Sequence, residues 1–290
     1  MINIISGNGC GDVLMSFRLT DLLKKKGHDV YNYCCVRGEV NNMLKTILYQ
    51  KFNFTKLPED DYERLLVDEN YFNQLKLSDE TYFVIPDKLF RGKKSFPLKK
   101  YHLTGFAIKQ NRLLIDKWTP ENRISINLNS ITENYSYHSI PELVKKIGLK
   151  FPDKNIYVPI LTKWKNMEMP RYDFKNISSN IVIDYNSPFE KVFDLLCKSE
   201  YVISADSAIM HLCFDLGLPH IILDPQYNRV AWESRWRESG FYNSIPITAL
   251  VEDIVDYVYT QITIPETQMI GADKIFRQKR DYSRELIFKE

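Results

Sequence analysis

The chain contains 290 residues, of which 44% are hydrophobic and 26% charged, and its 39 basic and 37 acidic side chains leave a net charge of +2. This length favours two domains of about 100–200 residues each, and the balanced charge excludes a strongly basic nucleic-acid-binding protein. The sequence has no run of about 18 apolar residues, so no membrane-spanning helix is predicted. The first residues lack the basic segment and long apolar core of a signal peptide, so we expect a cytoplasmic protein. Five cysteines without a CxxC pair favour reduced thiols.

The first residues predict a strand, a glycine-rich turn and a helix, in that order. Ile2–Ile5 is a short β-prone run, and the glycine-rich turn spans Ser6–Asp12. Apolar residues then recur at helical spacing until Gly27, which is expected to end the helix. Asp29–Cys35 predicts a second strand, so the chain opens with a βαβ unit. A further strand is expected at Tyr82–Pro86.

A second α/β series follows a proline-containing segment, Asp116–Arg123, that predicts a linker. We therefore predict two domains, residues 1–118 and 119–265, followed by a charged tail at 266–290. Alternating strands and helices favour a doubly wound parallel sheet in the second domain. Its predicted strands are Ile124–Leu128, Asn155–Leu161, Asn180–Asp184, Tyr201–Ser204 and His220–Leu223, and its helices are Pro141–Ile147, Phe189–Lys198 and Ala208–Leu216.

The most informative segment runs from Tyr201 to Cys213, where a buried strand leads through small polar residues into a helix. Helix N-termini at the carboxyl ends of parallel strands offer N–H groups and about half a positive charge to a phosphate. Ser207 and Ala208 would supply such N–H groups, and His211 lies one turn further on. An alternative interpretation is that Asp206 or Ser207 caps the helix and that His211 is a satisfied core histidine.

Two motifs resemble those of the heptosyltransferase-like family, glycosyltransferase family 9. The first is Asp206-Ser207 followed by His211 and, after the helix, Gly-Leu-Pro. The second is the opening segment Gly9-Cys10-Gly11-Asp12-Val13-Leu14. The resemblance implies the GT-B fold, in which two Rossmann-like parallel-sheet domains face each other across a cleft. It also implies that the C-terminal tail is helical and packs back on the first domain.

The resemblance assigns roles to individual residues. It makes Asp12 the base that deprotonates the acceptor hydroxyl, with Gly9 and Gly11 in the acceptor-side loop. Ser207 and the N–H groups that follow it would bind the donor diphosphate. Asp206 would mark the strand end and His211 would brace the loop. From the residues alone, Asp12 is an equally good helix N-cap.

The loop after the first strand of the second domain is a further candidate donor site. Asn127 and Ser130 follow that strand and are expected to touch the phosphate or the sugar. The family commonly has a lysine or arginine shortly after this loop, whereas this chain has Glu133, Tyr135, Tyr137 and His138. The departure favours a sugar other than heptose. We expect no metal and no cofactor besides the nucleotide-sugar, which acts as co-substrate, because no acidic pair or histidine spacing fits a metal site.

The main hypothesis is an inverting, metal-independent glycosyltransferase that uses a nucleotide diphosphate-sugar. Its acceptor is either a lipopolysaccharide-type surface glycan, with peripheral membrane contact, or hydroxymethylated bases of bacteriophage DNA, which the basic cluster at 88–100 would track. The rivals are a non-transferase GT-B enzyme such as a nucleotide-sugar epimerase, and an inactive nucleotide-sugar-binding module. The glycine pattern disfavours a dehydrogenase. The aromatic and basic segment Arg229–Arg237 either stacks on a ligand or packs its tryptophans inward.

Overall fold

A computed structural model of the chain describes the placement of most of the second half and of the central elements of the first. The described residues are 1–6, 10–36, 54–58, 64, 69–74, 81–84, 119–128, 137–160, 162–164, 167–168, 172–205, 207–216, 218–224 and 244–263. Within these ranges, no helix has the length and apolar character needed to cross a bilayer.

Both halves contain strands and helices, and the predicted βαβ opening and α/β series of the second half are observed. The strands of the first half are β1 (Ile2–Ser6), β2 (Val30–Val36), β3 (Phe54–Pro58) and β4 (Thr81–Val84), and its helices are α1 (Cys10–Lys25) and α2 (Glu69–Gln74). The larger strands of the second half are β5 (Glu121–Asn127), β6 (Asn155–Ile160), β9 (Ile181–Tyr185), β10 (Ser199–Ala205), β11 (His220–Asp224) and β12 (Ser244–Pro246). Two short strands, β7 (Lys163–Trp164) and β8 (Met167–Glu168), form an antiparallel pair. The remaining helices are α3 (Ile140–Lys150), α4 (Phe189–Cys197), α5 (Ala208–Leu216) and α6 (Val251–Thr263).

The described strands form two parallel sheets with the same winding pattern. The first sheet has the order β3-β2-β1-β4 and the second the order β12-β11-β10-β5-β6-β9. In each, the chain runs outward from a central strand to one edge, returns to the centre and continues towards the other edge. This is the Rossmann order, so the predicted pair of doubly wound parallel sheets is confirmed. Parallel strands need helical crossovers, and α3, α4 and α5 supply them in the second half.

The C-terminus of α1 follows the predicted glycine rule. Gly27 has a φ of +85°, a left-handed conformation that glycine adopts without a steric penalty. The Gly27 N–H donates to the Lys24 carbonyl and the His28 N–H donates to the Leu23 carbonyl. These two bonds form a Schellman motif, which satisfies carbonyls that the helix leaves open. The chain is thereby turned directly into β2.

Two boundaries differ from the sequence-based predictions. The predicted glycine-rich turn extends to Asp12, but α1 already begins at Cys10. Gly11 therefore lies inside the helix, where a glycine costs only about 0.5–1 kcal/mol relative to alanine. The predicted linker extends to Arg123, but Glu121–Arg123 belong to β5, because they pair with β10 on one side and β6 on the other.

Among the described residues, three clusters of buried apolar side chains hold the layers together. One fills the second half around β5, β6 and β10, and a small one lies between β1, β2 and α1. The third joins the two halves, because Val13, Leu14 and Phe17 of α1 share it with Ile209 and with other residues of α4 and α5. Each fully buried Leu or Phe side chain contributes about 1.5–3 kcal/mol. The α1–α5 contact is therefore part of the hydrophobic core, and both helices begin at predicted functional loops.

Candidate functional site

The carboxyl ends of β5 and β10 form the point at which the second sheet reverses its winding direction. The two strands are neighbours, and Asn127 at the end of β5 pairs in register with Ser204 of β10. Ligands of open α/β sheets bind in the crevice at such a point. Ser204 is fully buried, and among the described residues none lies within hydrogen-bonding distance of its hydroxyl. A buried hydroxyl of this kind suits a crevice that binds a polar ligand.

Ser207 occupies the N-cap position of α5, directly before Ala208. In the described part of the chain its buried Oγ atom meets no hydrogen-bonding partner, so the hydroxyl does not cap the helix. The capping interpretation of Ser207 is therefore wrong, although its position is that of a cap. The hydroxyl and the first N–H groups of α5 together offer several donors at the positive end of a helix dipole. This arrangement can bind a phosphate.

The first turn of α1 lies directly against His211 of α5. A Cβ atom built on Gly11 would come within 2.9 Å of His211 Cδ2 and 3.1 Å of His211 Nε2. Glycine at this position thus permits an approach that any other residue would prevent. Asp12 follows Gly11 inside this turn. Since the helix begins at Cys10, Asp12 is not its N-cap, and the alternative interpretation of Asp12 as a cap is also wrong.

A buried hydrogen-bond network joins the middle of α1 to α5. Arg18 Nε donates to Asp215 Oδ1 at 2.7 Å, and Arg18 Nη2 donates to the His211 carbonyl oxygen at 2.7 Å. Arg18 Nη1 lies 3.4 Å from His211 Nδ1. The side chains of Arg18 and Asp215 are 3% and 0% exposed. The interpretation of His211 as a buried, hydrogen-bonded histidine therefore holds for its contacts with Arg18, while its Nε2 edge faces the Gly11 turn.

The buried cysteines Cys34 and Cys213 are not suited to nucleophilic chemistry. Burial raises the pKa of the Cys34 thiol to about 12, and burial likewise raises the pKa of Cys213 above its ordinary value. Both thiols stay protonated near neutral pH, and a thiol attacks as a thiolate. Among the described residues, no group of three His, Cys, Asp or Glu side chains is arranged to hold a metal ion.

The structure brings together the predicted residues that it describes. Asn127, Ser207 and Ala208 lie around the β5–β10 crevice, and His211 contacts Gly11 next to Asp12. Other predictions fall outside the described residues: Gly9, Ser130, Asp206, the basic cluster at 88–100, Arg229–Arg237 and the tail at 266–290.

Sequence reasoning missed Arg18, Ser204 and Asp215. The sequence does contain a signal for Asp215. Apart from His211, it is the one ionisable residue in the otherwise apolar helix Ala208–Leu216. Arg18 has a similar signal, because it stands between Phe17 and Leu19 on a helix whose neighbouring residues are mostly apolar. Neither signal shows that Arg18 and Asp215 pair with each other.

Gly11→Ala is expected to destabilise the protein and to lower the activity of the site. Alanine normally stabilises a helix relative to glycine by about 0.5–1 kcal/mol. Here the new methyl group would press on a ring that Arg18 holds, and overpacking of this kind costs about 1–3 kcal/mol. Thermal unfolding and ligand-binding titrations of the variant measure both effects.

Gly148→Ala is the matched control, because Gly148 also lies in a helix and its Cβ would meet Ile181 Cδ1 at 2.5 Å. Gly148 is near the C-terminus of α3, at the opposite end of the strands from the crevice. It should lose stability but keep ligand affinity. If Gly11→Ala gained stability, the close approach of His211 would be disproved.

The comparisons with known proteins agree with this architecture. No family model and no curated protein sequence matches the chain. Among solved structures, the E. coli heptosyltransferase WaaC with ADP matches with a TM-score of 0.52 at 10% identity, over 90% of this chain and 99% of that one. The E. coli ADP-heptose LPS heptosyltransferase II matches with a TM-score of 0.54 at 12% identity, over 90% of this chain and 98% of that one.

The two parallel sheets and the crevice therefore belong to a protein of the GT-B fold class. More particularly, the chain has the fold of these heptosyltransferases, with which it shares only 10% and 12% sequence identity. The resemblance noted in its two motifs is confirmed at the level of the fold.

Proposed function

We propose that this protein is a glycosyltransferase that moves a sugar from a nucleoside diphosphate-sugar to an acceptor hydroxyl with inversion. One observation carries the proposal: the Gly11–Asp12 turn of the first half packs against His211, one turn beyond the Ser207 hydroxyl at the start of α5. A candidate base and a candidate diphosphate site are thus attached to two helices in direct contact. A direct displacement needs the base and the site of the leaving diphosphate to be held close to each other, which two helices in contact can do.

The donor is expected to bind at the β5–β10 crevice. The Ser207 hydroxyl and the N–H groups that begin at Ala208 would bind the diphosphate, and Asn127 and Ser204 would line the crevice beside it. As the bond between the anomeric carbon and the diphosphate breaks, the electron pair moves onto the leaving oxygen. Donors fixed at a helix N-terminus stabilise that growing negative charge without reorganising. Of the two heptosyltransferases that share this fold, one was solved with ADP and the other is an ADP-heptose LPS heptosyltransferase, which supports a nucleoside diphosphate as the leaving group.

Asp12 is the proposed base. The acceptor oxygen attacks the anomeric carbon from the side opposite the diphosphate, and its proton passes to the Asp12 carboxylate. The new glycosidic bond and the released diphosphate balance the reaction, so no covalent intermediate and no metal ion are needed. General-base catalysis of this kind contributes about 10²–10⁴-fold.

The acceptor is proposed to be a glycan hydroxyl, since one of the two similar proteins is an LPS heptosyltransferase. Modified DNA bases have no support from the described residues, because the basic cluster at 88–100 lies outside them. A sugar other than heptose is proposed for the donor on the basis of the acidic and aromatic residues that follow Asn127. We also propose that the protein is located in the cytoplasm and contacts the membrane peripherally.

A panel of nucleoside diphosphate-sugars tests the proposal through thermal unfolding. At a hundredfold excess over Kd, a true donor adds about 2.7 kcal/mol of stability. Ser207→Ala should weaken donor binding about ten- to hundredfold, because a hydrogen bond to a charged group is worth about 1.5–3 kcal/mol. The measurement is the donor Kd of each variant, from the concentration dependence of the melting temperature.

Ser187→Ala provides the control. Ser187 also precedes a helix at the same edge of the sheet, but its hydroxyl already donates to Asp184 Oδ1 at 2.6 Å. Its removal should leave the donor Kd unchanged. If neither a sugar nucleotide nor a free nucleotide stabilises the wild-type protein, the donor site is wrongly assigned.

A further inference from the structure

We propose that Arg18 is a positioning residue for the transfer reaction. It holds His211 with its ring proton on Nε2 and fixes the turn that carries Asp12 against the helix that carries Ser207. The inference rests on the proposed function and adds to it a device that neither motif contains. It is carried by the three contacts that the Arg18 guanidinium makes with Asp215 and His211.

The Arg18 contact determines the tautomer of His211. A guanidinium has five N–H donors and no acceptor, so the lone pair of His211 Nδ1 must face Arg18 Nη1, 3.4 Å away. A neutral imidazole with an accepting Nδ1 carries its proton on Nε2. The Nε2 atom lies 3.1 Å from the position that a Cβ of Gly11 would take. The ring therefore presents an N–H donor at the first turn of α1.

The same guanidinium sets the register of the two helices. Arg18 Nε and Nη2 donate to groups one turn apart on α5, namely the Asp215 carboxylate and the His211 carbonyl. The rigid fork of an arginine fixes the relative positions of both acceptors, whereas the ammonium of a lysine, whose three donors rotate on a flexible stem, does not. A shift of α1 along α5 would break both bonds. Since Asp12 and Ser207 lie at the beginnings of these helices, their separation depends on this register.

Stability alone does not account for an ion pair in this place. Arg18 and Asp215 lie beside the apolar cluster that α1 and α5 share. Replacing a buried ion pair by apolar residues of similar volume is often neutral or stabilising. The hydrophobic contact would hold the helices together without Arg18, but apolar side chains tolerate sliding and rotation. The directional bonds select one arrangement.

The first test compares the wild-type protein with Arg18→Met/Asp215→Leu, which removes the pair without leaving a buried charge. Proteins labelled with ¹⁵N-histidine are studied by NMR, and His211→Gln identifies the resonances of His211. We expect the wild type to show a protonated Nε2 and an accepting Nδ1, and the double variant to show both tautomers. A wild-type ring protonated on Nδ1 would overturn the inference.

The second test is kinetic. In the double variant, kcat should fall about ten- to hundredfold, the loss that a misplacement of about 1 Å brings, while the donor KM is unchanged. Arg18→Lys should lower kcat as well, because it keeps the charge but not the fork. A folded double variant with wild-type kcat would overturn the positioning role.

Ser125→Ala/Ser199→Ala is the matched control. It removes another buried polar pair, whose hydroxyl oxygens lie 2.6 Å apart between β5 and β10. We expect it to alter stability but neither the His211 tautomer nor kcat; a fall in kcat equal to that of the Arg18 variant would overturn the inference, since any lost buried polar pair would then have this effect. A wild type that transfers no sugar from any donor contradicts the proposed function instead, and the NMR comparison then still decides whether Arg18 sets the tautomer.

Discussion

Asp12→Asn is expected to lower the rate of sugar transfer about 10²–10⁴-fold while donor binding stays intact. The amide has the shape of the carboxylate but cannot accept the proton of the acceptor hydroxyl near neutral pH. The donor diphosphate is proposed to bind at α5, so its affinity does not depend on the charge of Asp12. Initial rates of nucleoside diphosphate release, with and without acceptor, give the loss in kcat.

The stability of this variant should change little. Asp12 lies in the first turn of α1, where a negative charge contributes about 0.3–1 kcal/mol through the helix dipole. Asp21→Asn is the control, since Asp21 is in the same helix and pairs with Lys25 at 2.7 Å on the surface. It should transfer sugar at the wild-type rate. Undiminished transfer by Asp12→Asn, with normal donor affinity, would exclude Asp12 as the base.

The same experiment separates the rival functions. An epimerase would convert the sugar of the nucleotide without an acceptor, so the donor would be consumed equally in its absence. An inactive module would bind the donor and leave both substrates unchanged. Only a transferase couples nucleoside diphosphate release to the appearance of a glycosylated acceptor, and only that coupling should respond to Asp12→Asn.

The secondary structure of the second half could be predicted from the sequence because its signals are local. The buried strands carry short apolar runs or, as in β5, an alternation of apolar and polar residues, and the helix predicted at Ala208–Leu216 has the observed bounds. The strand Phe54–Pro58 was missed because Phe54 is half-buried, Thr55 and Lys56 are exposed, and Leu57 is buried, so the apolar pattern is weak. The strand Ser244–Pro246 is only three residues long, too short for a periodic signal.

The candidate site could be predicted only in part, for a different reason. Each motif was recognisable from neighbouring residues, but the contact between them was not. Arg18 and Asp215 are 197 positions apart in the sequence, and the ring of His211 lies over a glycine near the other end of the chain. No local periodicity encodes such a pairing. The resemblance supplied the order of the two motifs, and the fold supplied their proximity.

The α1–α5 contact also bears on how the two halves can move. Leu14 and Phe17 of α1 share one apolar cluster with Leu212 and Leu216 of α5, so separating the halves at this point would expose several fully buried side chains. Each would cost about 1.5–3 kcal/mol. Substrate entry is therefore expected to leave this contact intact. If the crevice opens, the two halves should rotate about the α1–α5 contact.

Asp215→Leu alone is expected to lower the free energy of unfolding by about 3–5 kcal/mol, the largest stability change proposed for this chain. The substitution leaves the Arg18 guanidinium buried without its carboxylate, and a charge in that position cannot be rehydrated unless α1 separates from α5. Arg18→Met/Asp215→Leu should recover most of the loss, because both charges are then gone and the apolar cluster extends over the site. Denaturant unfolding of the single and double variants measures the difference.

Asp21→Asn is the comparison for this prediction as well, since it breaks a partly exposed pair, and ion pairs at the surface are worth about 0–1 kcal/mol. A double variant as unstable as Asp215→Leu would mean that the apolar groups cannot fill the space of the pair. A single variant as stable as the wild type would mean that water reaches Arg18. If the double variant instead recovers the free energy of unfolding, the apolar contacts alone are enough to hold α1 and α5 together. The ion pair then serves to fix how the two helices are arranged, and charge and packing act separately on them.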